Sequence, residues 1–153
     1  DDIDDATDLA AIFGEFDRDG IGAPLGSFVH QDNRDSSRYL LDIRQSGLGL
    51  PDRDYYLDDR FAEILAGYRN HVATMWRLAG LGNEAIATKV ADQIVTLESR
   101  IAEKQWDNVR NRDPQATYNL LPLADAATRP AAVGAALAAG AAPGLTVRGR
   151  GKG

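Results

Sequence analysis

Residues 59–105 read DRFAEILAGYRNHVATMWRLAGLGNEAIATKVADQIVTLESRIAEKQ, and the spacing of their apolar side chains decides the fold class. From Asp59 to Ala79, the residues Phe61, Ile64, Leu65, Tyr68, Val72, Met75, Trp76 and Ala79 trace one broad stripe at helical period. Gly80-Leu81-Gly82 supplies the left-handed cap that ends such a helix, and Asn83 can cap the next one. In that second helix Ile86, Val90, Ile94, Leu97 and Ile101 keep a near-heptad spacing to about Gln105. So short a break between long amphipathic helices predicts antiparallel neighbours.

Toward the N-terminus the pattern changes twice. Leu9, Ile12, Phe13 and Phe16 recur at helical spacing between Asp4 and Phe16, and Asp17-Arg18-Asp19-Gly20 stops that helix. Gly20, Gly22, Pro24 and Gly26 then make a linker rich in helix and strand breakers. Ser27–Gln31 and Arg38–Ile43 read as two strands around the polar turn Asp32-Asn33-Arg34-Asp35-Ser36, with Tyr39, Leu41 and Ile43 alternating onto one face. Two strands alone are marginal in water, so the hairpin is expected to pack against helices. The fold class is therefore mainly α, with one small β-hairpin and two long antiparallel helices.

Charge separates the chain into two stretches. Residues 1–125 hold all 23 acids against 13 of the 17 bases, a net of −10, whereas residues 126–153 hold four bases and no acid, a net of +4. After Leu123 large apolar residues almost vanish and Ala, Gly, Pro and Arg dominate, so no packed core is expected over 126–153. An acidic body repels phosphate backbones, which argues against a nucleic-acid partner; an RNA-binding reading of the Arg-Gly tail has only four positive charges and no interleaved aromatic. No apolar run approaches the roughly 20 residues that cross a bilayer, and the acidic opening is unlike a signal peptide. The chain begins at Asp1 and has Met75 as its single methionine, the pattern of a processed or partial product.

Several chemistries lack their residues. The chain has no cysteine, which removes disulfides, thiolate metal sites and cysteine nucleophiles together. The only histidines, His30 and His71, are 41 residues apart and neither is followed by glutamate, so they do not form the two-histidine helical pair of a hydrolytic zinc site. Asp17-Arg18-Asp19-Gly20 has Ile21 where a calcium loop needs an oxygen ligand and Phe28 where it needs its closing glutamate; only Gly22 fits. Ser27, Ser36, Ser37 and Ser46 lack the Gly-x-Ser-x-Gly elbow, and there is no phosphate-cradling glycine-lysine run. No catalytic residue and no metal ligand is assigned.

The run Gln45-Ser46-Gly47-Leu48-Gly49-Leu50-Pro51-Asp52-Arg53-Asp54-Tyr55-Tyr56-Leu57 resembles a signature of the neprilysin and endothelin-converting-enzyme family of zinc metallopeptidases. Asp32–Tyr39, Tyr68–Val72, Leu97–Ala102, Arg112-Asp113 and Tyr118-Asn119 resemble its neighbouring segments, so the likeness covers about residues 5–125. Gly47 and Gly49 allow a tight path, Pro51 fixes an extended turn, and Asp52, Arg53 and Asp54 can pair while capping the coming helix. With Tyr55 and Tyr56 these residues read as a rigid corner joining hairpin to helix rather than as a surface that touches substrate.

The resemblance implies a segment of an N-terminal, lid-like lobe that encloses a peptide-sized cavity and excludes folded proteins. It implies zinc only in the intact parent, because the family's His-Glu-x-x-His motif falls outside this stretch. The chain alone is then expected to be inactive, with peptides and the catalytic lobe as partners of the intact enzyme and an extracytoplasmic location. Residues 126–153 depart from the family pattern and read as non-native or disordered text, as a frame change in a GC-rich gene would yield. The competing reading is a stand-alone helical protein-binding module.

Overall fold

The computed structural model of the chain describes residues 3–122 and 145–148. It is mainly helical and divides into two compact units, one formed by Asp1–Gly47 with Asn108–Gly153 and the other by Leu48–Asp107.

The second unit is the helical hairpin. A one-turn helix α2 (Asp54–Leu57) and a 3-10 turn (Asp59–Phe61) lead into α3 (Ala62–Leu78), and α4 (Glu84–Lys104) returns. Both ends of the connection are built as the sequence predicts. Gly80 has φ +73°, and the Asn83 side chain accepts the Ile86 amide at 3.0 Å. Trp76 closes the turn by donating its indole N–H to the Leu81 carbonyl at 3.1 Å. The buried positions of α4 are Ala87, Ala91 and Ala102, whose spacing puts them on one face. Their small size lets the helices approach closely, so the centre of this unit is made from alanine rather than from the large residues of the stripe.

The first unit begins with α1 (Ala6–Arg18), which ends at Gly20 with φ +75°. Strands β1 (Leu25–Gln31) and β2 (Tyr39–Gln45) pair antiparallel from Leu25↔Gln45 to Gln31↔Tyr39. The chain re-enters this unit through α5 (Asn108–Asn111), β3 (Leu120–Pro122) and β4 (Leu145–Arg148). The sheet order is β1-β2-β4-β3, with β4 antiparallel to β2 and parallel to β3.

Two expectations change here. Leu40, not its neighbours, is the large side chain fully buried in the hairpin, whereas Tyr39 is 70% exposed and Leu41 and Ile43 are half-buried. The physical reason is strand alternation: Leu40 and Asp42 lie on the face opposite Tyr39, Leu41 and Ile43, and the Leu40 face is the more covered one. The tail, for which no packing is expected, contributes the strand Leu145–Arg148; the remainder of 126–153 lies outside the described residues.

Candidate functional site

The signature is divided between the units, and each half is fixed by a glycine. Gly47 belongs to the first unit: its φ is +84°, and a Cβ there would lie 2.6 Å from the Pro24 Cα, a backbone atom that cannot move aside. The Pro24 carbonyl also accepts the Ser46 amide at 3.0 Å. Gly49 belongs to the second unit, where a Cβ would fall 2.0 Å from the Tyr68 hydroxyl. Glycine is needed there for space, to let the loop pass over the tyrosine.

That tyrosine belongs to a knot. Glu98 on α4 accepts the Tyr56 hydroxyl through Oε2 at 2.9 Å and the Tyr68 hydroxyl through Oε1 at 3.0 Å. The Tyr56 hydroxyl in turn accepts the Leu50 amide at 2.9 Å, which ties the signature loop to both long helices. The two rings meet edge to face at 6.4 Å. Burial raises the Tyr56 phenol well above its ordinary value; the Leu50 amide pulls the other way, and the Glu98 carboxylate adds to the rise. Burial, then the Glu98 charge, push Tyr68 up to about 12. Both phenols therefore stay neutral donors to a carboxylate.

The rest of the signature makes internal contacts as well. Arg53 donates through Nη1 to the Gln105 carbonyl at 2.7 Å, capping the C-terminal end of α4, and its Nε stands 3.9 Å from the Asp54 carboxylate. Asp52 accepts the Asp54 amide at 2.8 Å and so starts α2, while Asp58 accepts the Arg60 amide at 2.9 Å at the head of the 3-10 turn. The expected capping thus falls to Asp52 and Asp58, and Arg53 serves the far end of a different helix. Tyr55 stacks on Phe61 at 4.5 Å, and Pro51 is exposed at the bend.

Sequence reasoning names Tyr56 and Arg53 but not Glu98 and Gln105, the groups they bond to, and it places Tyr68 only in the apolar stripe of its helix. A signal was present: Glu98 follows Ala87 and Ala91 and precedes Ala102 at spacings of 7 and 4 between the last three, a charge on the inward face of a helix. An acid at such a position needs donors.

Zinc does not fit these residues. Among the described residues no group of three or more His, Cys, Asp or Glu side chains could hold a metal ion. His30 sits on β1 with Nε2 at 3.0 Å from the Asp42 carboxylate, and His71 is exposed on α3 of the other unit. No reaction step is derived through a metal here.

The comparisons agree with the architecture. A family model described as Peptidase family M13, covering its N-terminal region, matches residues 1–143. The crystal structure of the Mycobacterium tuberculosis zinc metalloprotease Zmp1 in complex with an inhibitor is 38% identical, with a TM-score of 0.77 over 95% of this chain and 23% of that one. Human endothelin-converting enzyme 1 is 32% identical over 102 residues, 66% of this chain and 13% of that protein. Mouse endothelin-converting enzyme-like 1 is 41% identical over 100 residues, 62% of this chain and 12% of its own length. The chain thus spans a small part of each relative.

Fold and sequence together define the N-terminal region of a zinc metallopeptidase. The chain belongs to peptidase family M13. The matched region runs to residue 143, past the position near 125 where the sequence resemblance fades.

Proposed function

We propose that this chain is a non-catalytic portion of a zinc metalloendopeptidase that degrades or processes peptides, and that in the intact enzyme it helps to enclose the substrate cavity. The observation that carries this reading is the inward use of the signature. Tyr56, Arg53 and Asp52 all bond to groups of their own unit, which is what a rigid corner requires and a substrate-binding surface does not. Gly47, Gly49, Pro51, Asp52, Arg53, Asp54, Tyr55 and Tyr56 are on this account architectural residues.

A second feature supports a role inside a larger enzyme. On α3 the exposed residues Ile64, Met75 and Leu78 recur along one line, and on α4 Ile86 and Leu97 do the same with half-buried Val90 between them. Each line is offset by about 100° from the face its helix turns to its partner. In an antiparallel pair, equal offsets fall on the same side. The hairpin therefore presents an apolar platform, extended at the turn by exposed Leu81, of the kind that another part of the polypeptide covers. We take that part to be the catalytic lobe, with zinc and peptide substrates belonging to the intact enzyme and an extracytoplasmic setting.

The direct test is zinc titration and peptide hydrolysis with the chain alone. No one-to-one zinc complex and no cleavage are expected. Chelator-sensitive hydrolysis that is lost in His30→Ala or His71→Ala would overturn the proposal.

A further inference from the structure

The first unit contains a buried carboxylate that the family signature does not include. Asp32, at the end of the hairpin, has a fully buried side chain. Its Oδ1 accepts the Arg34 amide at 2.8 Å; its Oδ2 accepts Arg38 Nε and Nη2, each at 2.7 Å, and the Tyr118 hydroxyl at 3.2 Å. Tyr118 lies 86 positions away, in the segment that brings the chain back into this unit. The Arg34 guanidinium covers the Tyr118 ring at 3.9 Å and donates through Nη2 to the Gln115 side-chain Oε1 at 3.4 Å.

The returning segment is largely open to solvent in its first half. Arg112, Asp113, Pro114 and Gln115 are exposed, and Ala116 to Asn119 are only half-buried. Its own shape is local: Asp113 accepts the Gln115 and Ala116 amides at 2.8 and 3.2 Å, and the Thr117 amide bonds to the Asp113 carbonyl at 3.0 Å. These bonds form a turn but do not attach it to anything. Besides the half-buried Tyr118 ring, its apolar residues are one proline and one alanine, so apolar burial is small. Asp32 and Arg34 are what tie Tyr118 and Gln115 to the end of the hairpin. β3 begins at Leu120, two residues beyond Tyr118, so whatever holds Tyr118 also places β3 beside β4.

We propose that Asp32, with Arg38 and Tyr118, is a clasp that positions the returning segment 113–119 on the hairpin and thereby sets where β3 enters the sheet. Asp32 is a positioning residue, not a catalytic one. Charge is essential to it: an acceptor of four donors, two of them from one guanidinium, holds its partners as an anion and loses that hold when protonated. The groups facing it are Arg38, Arg34, Tyr118 and Asp35, the last 3.6 Å from Arg38 Nε. Burial alone would raise the Asp32 carboxyl, but the Arg34 amide, Arg38 and Tyr118 outweigh it and hold the group below its ordinary 3.8. The clasp is thus complete above pH 3.8 and opens only as pH falls through that lower value.

Amide hydrogen exchange on the full chain tests the clasp. In Asp32→Asn at neutral pH, amides of 113–122 should exchange on the order of tenfold faster while those of α3 and α4 are unchanged. Tyr118→Phe keeps the ring under Arg34 and removes one bond, so it should give a smaller rise of roughly fivefold confined to the same peptides. In the unaltered chain the same peptides should lose protection only in acid below pH 3.8. Unchanged exchange of 113–122 in Asp32→Asn overturns the proposal, as does an equal rise in both units. If Asp32→Asn does not fold, Tyr118→Phe decides: a local rise supports the clasp and no rise overturns it.

Discussion

The two units are held together by different means. In the helical unit a row of alanines brings α3 and α4 close, and one carboxylate between two phenols secures the loop that enters it. In the hairpin unit a backbone ladder runs from Leu25↔Gln45 to Gln31↔Tyr39, and a buried carboxylate gathers a turn and a segment 86 positions away. The difference is one of sequence distance. The alanines that line the helix pair recur at helical spacing, and Tyr56 and Tyr68 reach Glu98 from 42 and 30 positions away, whereas the Asp32–Tyr118 bond joins residues 86 apart that no local pattern relates.

Substitutions at the two signature glycines should separate the units most strongly. Gly47→Ala combines a positive φ with a clash against backbone, so it should cost the hairpin unit about 3 kcal/mol, adding a left-handed penalty to overpacking. Gly49→Ala meets the end of a tyrosine that can swing aside by giving up its bond to Glu98, so about 2 kcal/mol is expected in the helical unit. Denaturant melts followed by circular dichroism, with exchange to assign the unit, measure both. Equal costs, or a larger cost at Gly49, would break the distinction between an immovable and a movable neighbour.

Alkaline titration gives a smaller and more selective effect. A phenol raised in the folded state contributes stability that is fully present below its unfolded value of 10.0 and is lost as pH rises through the folded value. For Tyr68 that window runs from 10.0 to about 12. The helical unit should therefore weaken across this range, and Tyr68→Phe should flatten the loss. A hairpin unit that weakens in parallel would show that the knot is not what distinguishes the two.

The smallest change in stability is expected on the apolar platform. Met75→Ser with Leu78→Ser removes exposed side chains, so thermal stability should hardly move while binding of an apolar dye and self-association fall. Sedimentation of the unaltered chain as a compact monomer that binds no dye would favour a stand-alone module instead.

The long helices were legible because 17 and 21 residues repeat their period many times and carry ordinary caps at Gly80 and Asn83. The hairpin was legible in its extent but not in its buried face, since three alternating apolar residues do not say which face is covered, nor that β4 flanks β2. That strand is only four residues long and sits in Ala- and Gly-rich text, where no periodic signal marks it. The tight backbone path at Gly47 and Gly49 was readable from residue type. Tyr68 read as one more apolar position, and the Asp32 clasp was invisible because Arg38 and Tyr118 announce nothing about each other in sequence.

On the function proposed above, this chain shapes an enclosure without taking part in the chemistry. A chimera of the M. tuberculosis zinc metalloprotease carrying this chain in place of its matching segment measures that directly, by cleavage of short peptides and of a folded protein side by side. The account predicts that zinc content and peptide cleavage persist and that the folded protein stays intact. Cleavage of the folded protein at a rate comparable to the peptides, by a chimera that is itself folded and zinc-loaded, would contradict it.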